Sequence, residues 1–188
     1  GVTPWASRTV IPAEFRVHPN DHVNMGQSSN DTFPTAMHIA TAMLTSTVLM
    51  PATEKLQNAL NEKASELDAV IKTGRTHLMD ATPIRLGQVF AGYAHQAETA
   101  ATLAEMVRDD LMLDSMPIGG TAVGTGINTH PEFSARVCKS LSKRMSLGID
   151  FKEAINHPAA QSAKDDFVDA HAKLKTIAVS LSKIANDI

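Results

Sequence analysis

Apolar residues recur three and four positions apart over much of this chain, the period of a helix with one buried face. The strongest run is Leu86, Phe90, Tyr93, Ala97, Ala100, Ala104, Val107 and Leu111, which predicts a long helix with a single seam. Alanines in the middle of that seam admit a neighbouring helix at close range. A second run, Phe167, Ala170, Leu174, Ile177, Leu181, Ile184 and Ile188, predicts a final helix whose pattern is still running at the last residue, so a helix cut short is expected. Upstream, Phe33, Met37, Ala40 and Leu44 predict a helix opened by the cap-forming residues 27–31. After a short break, Pro51 opens a further helical stretch with Leu56, Leu60 and Leu67 as a partial stripe. Residues 132–145 predict one more helix, and residues 146–160 carry no assignable pattern. The expected fold is all-α, a bundle of long helices.

Composition sharpens this picture. Aromatic residues make up 4% of the chain while hydrophobic residues reach 43%, which suits closely packed helices better than a β-sandwich. A net charge of -3 without a Lys/Arg cluster gives no electrostatic support for a nucleic-acid partner. The one cysteine, Cys138, excludes an internal disulfide, and no continuous apolar run approaches the ~20 residues needed to span a bilayer. A cytoplasmic protein without a membrane segment is the expectation. Residues 1–25 carry Pro4, Pro12 and Pro19 without a sustained period and read as irregular.

The candidate chemistry lies between the periodic segments. Residues 72–83 crowd Gly74, Arg75, Thr76, His77 and Pro83 into what reads as a loop, with Pro83 suited to the first turn of the following helix. An unperturbed imidazole titrates near 6.5, so a histidine such as His77 is able to take and give a proton near neutrality; taken alone, a lone histidine in a loop is read first as a solvated residue in a helix connection. Residues 28–31 offer hydroxyls and the free N–H groups of a helix start, which hold a carboxylate or simply cap the helix. His18, Pro19, Asn20 and Asp21 read as a turn. His18 and His22 have the spacing of a helical metal pair, but Pro19 argues against helix there, and no metal site is expected. The glycine-dense residues 119–126 match neither G-x-x-x-x-G-K nor G-x-G-x-x-G, so close backbone packing beside a site is expected instead of nucleotide binding.

Taken together, residues 18–35 (HPNDHVNMGQSSNDTFPT), 74–83 (GRTHLMDATP), 119–131 (GGTAVGTGINTHP) and 183–188 (KIANDI) resemble class II fumarase, of the fumarase/aspartase superfamily. Aspartate ammonia-lyases are similar, yet typically carry threonine at the place of Ser29 and glutamine at the place of His77, and lack a histidine at the place of His130. The resemblance implies a hydro-lyase interconverting fumarate and (S)-malate by trans addition of water, a tricarboxylic acid cycle enzyme without cofactor or metal. It implies carboxylate contacts from Ser28, Ser29, Asn30 and Thr76, and a proton exchange by His77 through a bound water. It also implies a second dicarboxylate site at His18, Pro19, Asn20 and Asp21, and a homotetramer whose long helices form a central bundle.

By the same likeness, residues 1–25 are the end of an absent N-terminal domain, and residues 26–188 a central helical-bundle domain cut inside its last helix. The family's mobile loop GSSxMPxKxNP, which carries the other catalytic group, a serine, is not in this sequence, so the chain is expected to be inactive by itself. Two alternatives stand beside this reading: an aspartate ammonia-lyase of the same superfamily, and a non-catalytic helical assembly module.

Overall fold

The computed structural model describes residues 17–111, 115–145, 148 and 150–188. A π-helical turn, Pro19–Val23, precedes α1 (Ser29–Leu44), which continues through a second π-helical turn, Thr45–Leu49, into α2 (Met50–Glu66). A two-stranded antiparallel hairpin follows, β1 (Ile71–Thr76) and β2 (Met79–Arg85), then α3 (Leu86–Asp110), α4 (Phe133–Met145), α5 (His157–Ser162) and α6 (Asp165–Asp187). The expected bundle of long helices is present, with one hairpin added to it.

The α3 seam packs as its spacing predicts: Tyr93, Ala97, Ala100, Ala104, Val107 and Leu111 are buried. Ile184 of α6 packs with Tyr93, Ala94 and Ala97, Ile177 with Ala100 and Ala104, and Ala170 with Val107 and Leu111, so α6 runs antiparallel to α3 along its whole length. Leu60 of α2 joins the first of these clusters. At the hairpin end of the bundle the Tyr93 hydroxyl donates to Asp187 at 3.0 Å, and Lys183 lies 4.4 Å above the Tyr93 ring.

Three expectations are corrected. Instead of a break before Pro51, the helix continues through a π turn that bonds Met50 N–H to the Thr45 carbonyl, a change of bonding register that accommodates the ring and the missing N–H of Pro51. Helical bonding thus runs on from Ser29 to Glu66 over 38 residues, and one window of it reaches a mean hydropathy of 1.2, long and apolar enough to cross a membrane by length and composition. The buried flank of α1 is polar all the same, with Asp31, Thr35 and His38 bonded to groups of this chain, as in a helix packed on protein.

The second correction concerns the face that α1 buries. Phe33 and Leu44 are 68% and 63% exposed, while Asp31, Pro34, Thr35, His38 and Ala42 are buried. Third, Pro19 does not prevent helix after residue 18: as the first residue of the π turn it has no N–H to lose, and the His18 Nδ1 accepts from Asn20 and Asp21 N–H as its cap. Of the irregular segment expected at residues 1–25, residues 1–16 lie outside the described residues.

Candidate functional site

The start of α1 is built as a capping box. The Ser28 hydroxyl accepts from Asn30 N–H at 3.2 Å, and the Asp31 carboxylate accepts in return from Ser28 N–H at 2.8 Å. This leaves Ser29 and Asn30 exposed on the first turn. The Asn30 side-chain amide donates to the Ala122 carbonyl at 2.8 Å, which fixes its rotamer against the glycine-rich segment. Close backbone packing beside these residues, expected for residues 119–126, is what the structure shows: a Cβ on Gly124 would lie 2.5 Å from the Pro158 nitrogen. Ser29, Asn30, Phe33, Ala122, Val123 and Gln161 are among the lining of a cavity of about 600 Å³.

His77 and Thr76 lie elsewhere. The segment expected as a loop is the β1–β2 hairpin, and Pro83, expected in a first helical turn, pairs with Thr73 inside β2. His77 and Leu78 form its two-residue turn with φ of 52° and 63°, the left-handed pair that a type I′ turn needs. Neither is Gly, Asn or Asp, so the sequence carries no hairpin signal at this point. Gly74 is required by a close cross-strand approach, since a Cβ there would stand 2.5 Å from the Thr82 carbonyl oxygen. The Arg75 guanidinium reaches Asp80 at 3.1 Å across the hairpin. The base is fixed by Leu86 N–H donating to Val70 C=O at 2.8 Å and by Arg85 paired with Asp68 at 2.7 Å. Among the described residues the Ser29 hydroxyl, the Thr76 hydroxyl and the His77 ring carry no hydrogen bond, so their donors and acceptors face solvent.

The two groups do not meet within one chain. The hairpin springs from the start of α3, whose 25 residues span about 37 Å at ~1.5 Å per residue. The far end reaches Leu111, whose carbonyl is bonded by His38 Nδ1 at 2.9 Å, and residues 28–30 lie more than two helical turns beyond His38. Thr76 and His77 therefore stand at one end of the bundle, and Ser28, Ser29 and Asn30 at the other.

His18, Pro19, Asn20 and Asp21 come together in the π turn, all exposed. Two backbone N–H groups point at His18 Nδ1, at 3.3 and 3.2 Å, which makes that atom the acceptor and leaves the ring proton on Nε2. The Asp21 carboxylate lies 3.2 Å from the same Nδ1. Among the described residues no group of three His, Cys, Asp or Glu side chains is placed to hold a metal ion. Cys138 is no nucleophile: burial, followed by the nearby Glu153 carboxylate, pushes its thiol up to about 11.

Asp31 enters the sequence reading only as one of the residues that open the helix, without its buried acceptor role. Ser28 and Asp31 stand three apart ahead of an apolar run, the spacing of a capping box, and that spacing was the available signal.

Comparison with known proteins gives a consistent result. A class II fumarate hydratase of Nitrosomonas europaea is 50% identical over 173 residues, 92% of this chain and 37% of that protein. The class II fumarate hydratase of Mycobacterium tuberculosis is 51% identical over the same length, covering 92% and 36%. A solved class II fumarase from Schistosoma mansoni matches with a TM-score of 0.83 at 38% identity, over 97% of this chain and 40% of that one. The chain spans about a third of the length of the curated relatives it matches. A family profile described as lyase matches residues 7–188, and on that match the chain belongs to this lyase family.

Proposed function

We propose that this chain is the central helical part of a class II fumarate hydratase, which adds water reversibly across fumarate to give (S)-malate. The observation that carries the reading is identity of about half to class II fumarate hydratases over 92% of the chain. In the chemistry this implies, loss of a proton beside a carboxylate builds extra negative charge on that carboxylate, so the transition state calls for preorganised donors around it. Ser28, Ser29, Asn30 and Thr76 supply such donors, and the start of α1 adds the positive end of its helix dipole. His77 exchanges the proton on the oxygen side through a bound water. The chain supplies one side of this chemistry, and the 188 residues alone do not turn over.

The placement of residues 28–30 and His77 at opposite ends of the bundle supports a site assembled from more than one copy, a homotetramer in our reading. Exposed apolar residues along α1, Phe33 and Leu44 among them, fit burial against other copies. His18 to Asp21, all exposed, form the second dicarboxylate site in this reading, and the compartment is cytoplasmic.

The test uses the full-length polypeptide that contains this segment. His77→Asn is expected to slow fumarate hydration by about 10²–10⁴-fold, the range of general acid–base help. Mixed assembly of His77→Asn and Ser29→Ala subunits is expected to regain part of the activity that each lacks alone. Full activity of His77→Asn, or turnover by the 188-residue chain near the rate of the full enzyme, overturns the reading. Ammonia release from aspartate without fumarate hydration would assign the chain to the ammonia-lyase branch.

A further inference from the structure

Among the described residues Asp31 is the carboxylate with no exposed surface, at 0%. A carboxylate withdrawn from water is tolerated only where hydrogen bonds replace its hydration. Here three backbone N–H groups do so. Ser28 N–H donates to Oδ1 at 2.8 Å, and Gly119 and Thr121 N–H donate to Oδ2 at 3.1 and 2.9 Å. Gly119 and Thr121 both have positive φ, 93° and 59°, and this turns their N–H groups toward one oxygen, as in a backbone nest that holds an anion.

The anion in this nest is supplied by the chain itself, from a residue about 90 positions earlier. Through it, the first turn of α1 and the 119–121 turn are tied together. Two further bonds reinforce the junction: Asn30 to the Ala122 carbonyl at 2.8 Å, and Gln161 Nε2 to the Thr121 carbonyl at 2.6 Å. Ser29 and Asn30 line the cavity beside it, together with Gln161.

We propose that Asp31 is a positioning residue for substrate binding: its buried carboxylate locks the start of α1 to the 119–121 turn and so sets the direction in which Ser29 and Asn30 present their donors. This rests on the reading of residues 28–30 as substrate contacts. An asparagine in its place keeps the shape but offers one acceptor oxygen, and it sets an NH₂ group against at least one of the three N–H groups.

The experiment is a double-mutant cycle in the full-length enzyme, comparing Asp31→Asn, Ser29→Ala and the pair by kcat and KM for fumarate. Asp31→Asn is expected to raise KM about tenfold and to lower kcat/KM about 10²-fold, as loss of an aligned donor does. The pair is expected to be little worse than the more impaired single variant, because Ser29 has already lost its alignment. A purely structural role predicts a lower kcat in proportion to the folded fraction with KM unchanged, and that outcome overturns the proposal. Effects of the two substitutions that multiply also overturn it. Unchanged kinetics for Ser29→Ala instead sink the substrate-contact reading beneath it. If Asp31→Asn does not fold, Gln161→Ala, which cuts the other tie on the same turn, decides by the same cycle. A loss of about fivefold coupled to Ser29 supports the proposal, and a multiplicative loss overturns it.

Discussion

The start of α1 and the β1–β2 hairpin both present uncommitted polar side chains to solvent, but they are held by different means. At the α1 start a buried carboxylate, a turn with two positive-φ residues and an asparagine amide join segments about 90 residues apart. At the hairpin, His77 stands on a turn whose two strands are largely exposed and held by pairing to each other and to the base of α3. A donor that must meet a carboxylate in one orientation gains from the first arrangement. A group that must reach a site elsewhere gains from the second, since the hairpin carries it away from its own bundle. Rigidity thus follows from long-range polar ties at one end and is left to local strand pairing at the other.

The sharpest way to break this contrast is at Gly119. Its φ of 93° is strained for any other residue, and a Cβ would lie 2.6 Å from the Ser134 Cβ. Gly119→Ala is expected to cost about 3 kcal/mol or more of global stability, read from the urea midpoint, because the clash falls on buried packing and also withdraws one of the Asp31 donors. Gly74→Ala is the matched change at the other end, with the Thr82 carbonyl oxygen 2.5 Å from the new Cβ. The exposed strands can splay, so about 1–2 kcal/mol is expected, and faster amide exchange should be confined to residues 71–85 while the global midpoint moves little. A global loss from Gly74→Ala equal to that from Gly119→Ala would erase the contrast.

A smaller effect at the α1 end depends on pH. Burial holds the His38 imidazole below its usual 6.5, against the raising influence of its bond to the Leu111 carbonyl and of Asp166, with Lys164 adding to the lowering. The unfolded chain therefore binds this proton more readily than the folded one. The contribution to stability is complete above about pH 6.5 and is lost as pH falls toward the depressed folded value. Melting temperature is expected to fall between pH 7.5 and pH 5.5, and less steeply in His38→Gln, which keeps a donor for Leu111 without the titration. A hairpin substitution such as Gly74→Ala, which removes no titrating group, should leave that slope unchanged.

How far these features were legible in the sequence follows from what signals them. The α3 seam was readable because Ala97, Ala100, Ala104 and Val107 are apolar, evenly spaced and buried against α6. The α1 face was misread because periodicity assumes that the buried side is apolar. Here Asp31, Thr35 and His38 are buried with their hydrogen bonds satisfied inside the chain, and Phe33 is left outside. The hairpin was missed for a local reason, since His77 and Leu78 take left-handed conformations without the Gly, Asn or Asp that announce them. The candidate residues were legible as types, whereas their division between two ends of the bundle was not, because it is a property of helix lengths and antiparallel packing.

The smallest expected effect bears on that same turn. Leu78 has φ of 63° and is 97% exposed, so in this chain its side chain contributes strain without burial. Leu78→Gly is expected to relieve the strain and to slow amide exchange of the Thr76–Met79 pair, a local gain of under about 1 kcal/mol, because a type I′ turn favours glycine at this position. If the exposed leucine is instead an anchor for another copy, the gain will appear in the isolated 188-residue chain and reverse in the full-length assembly, where the lost contact outweighs the relieved turn. Exchange rates that fail to slow in the isolated chain would show that the turn stores no strain, and the hairpin would then be as firmly set as the α1 start.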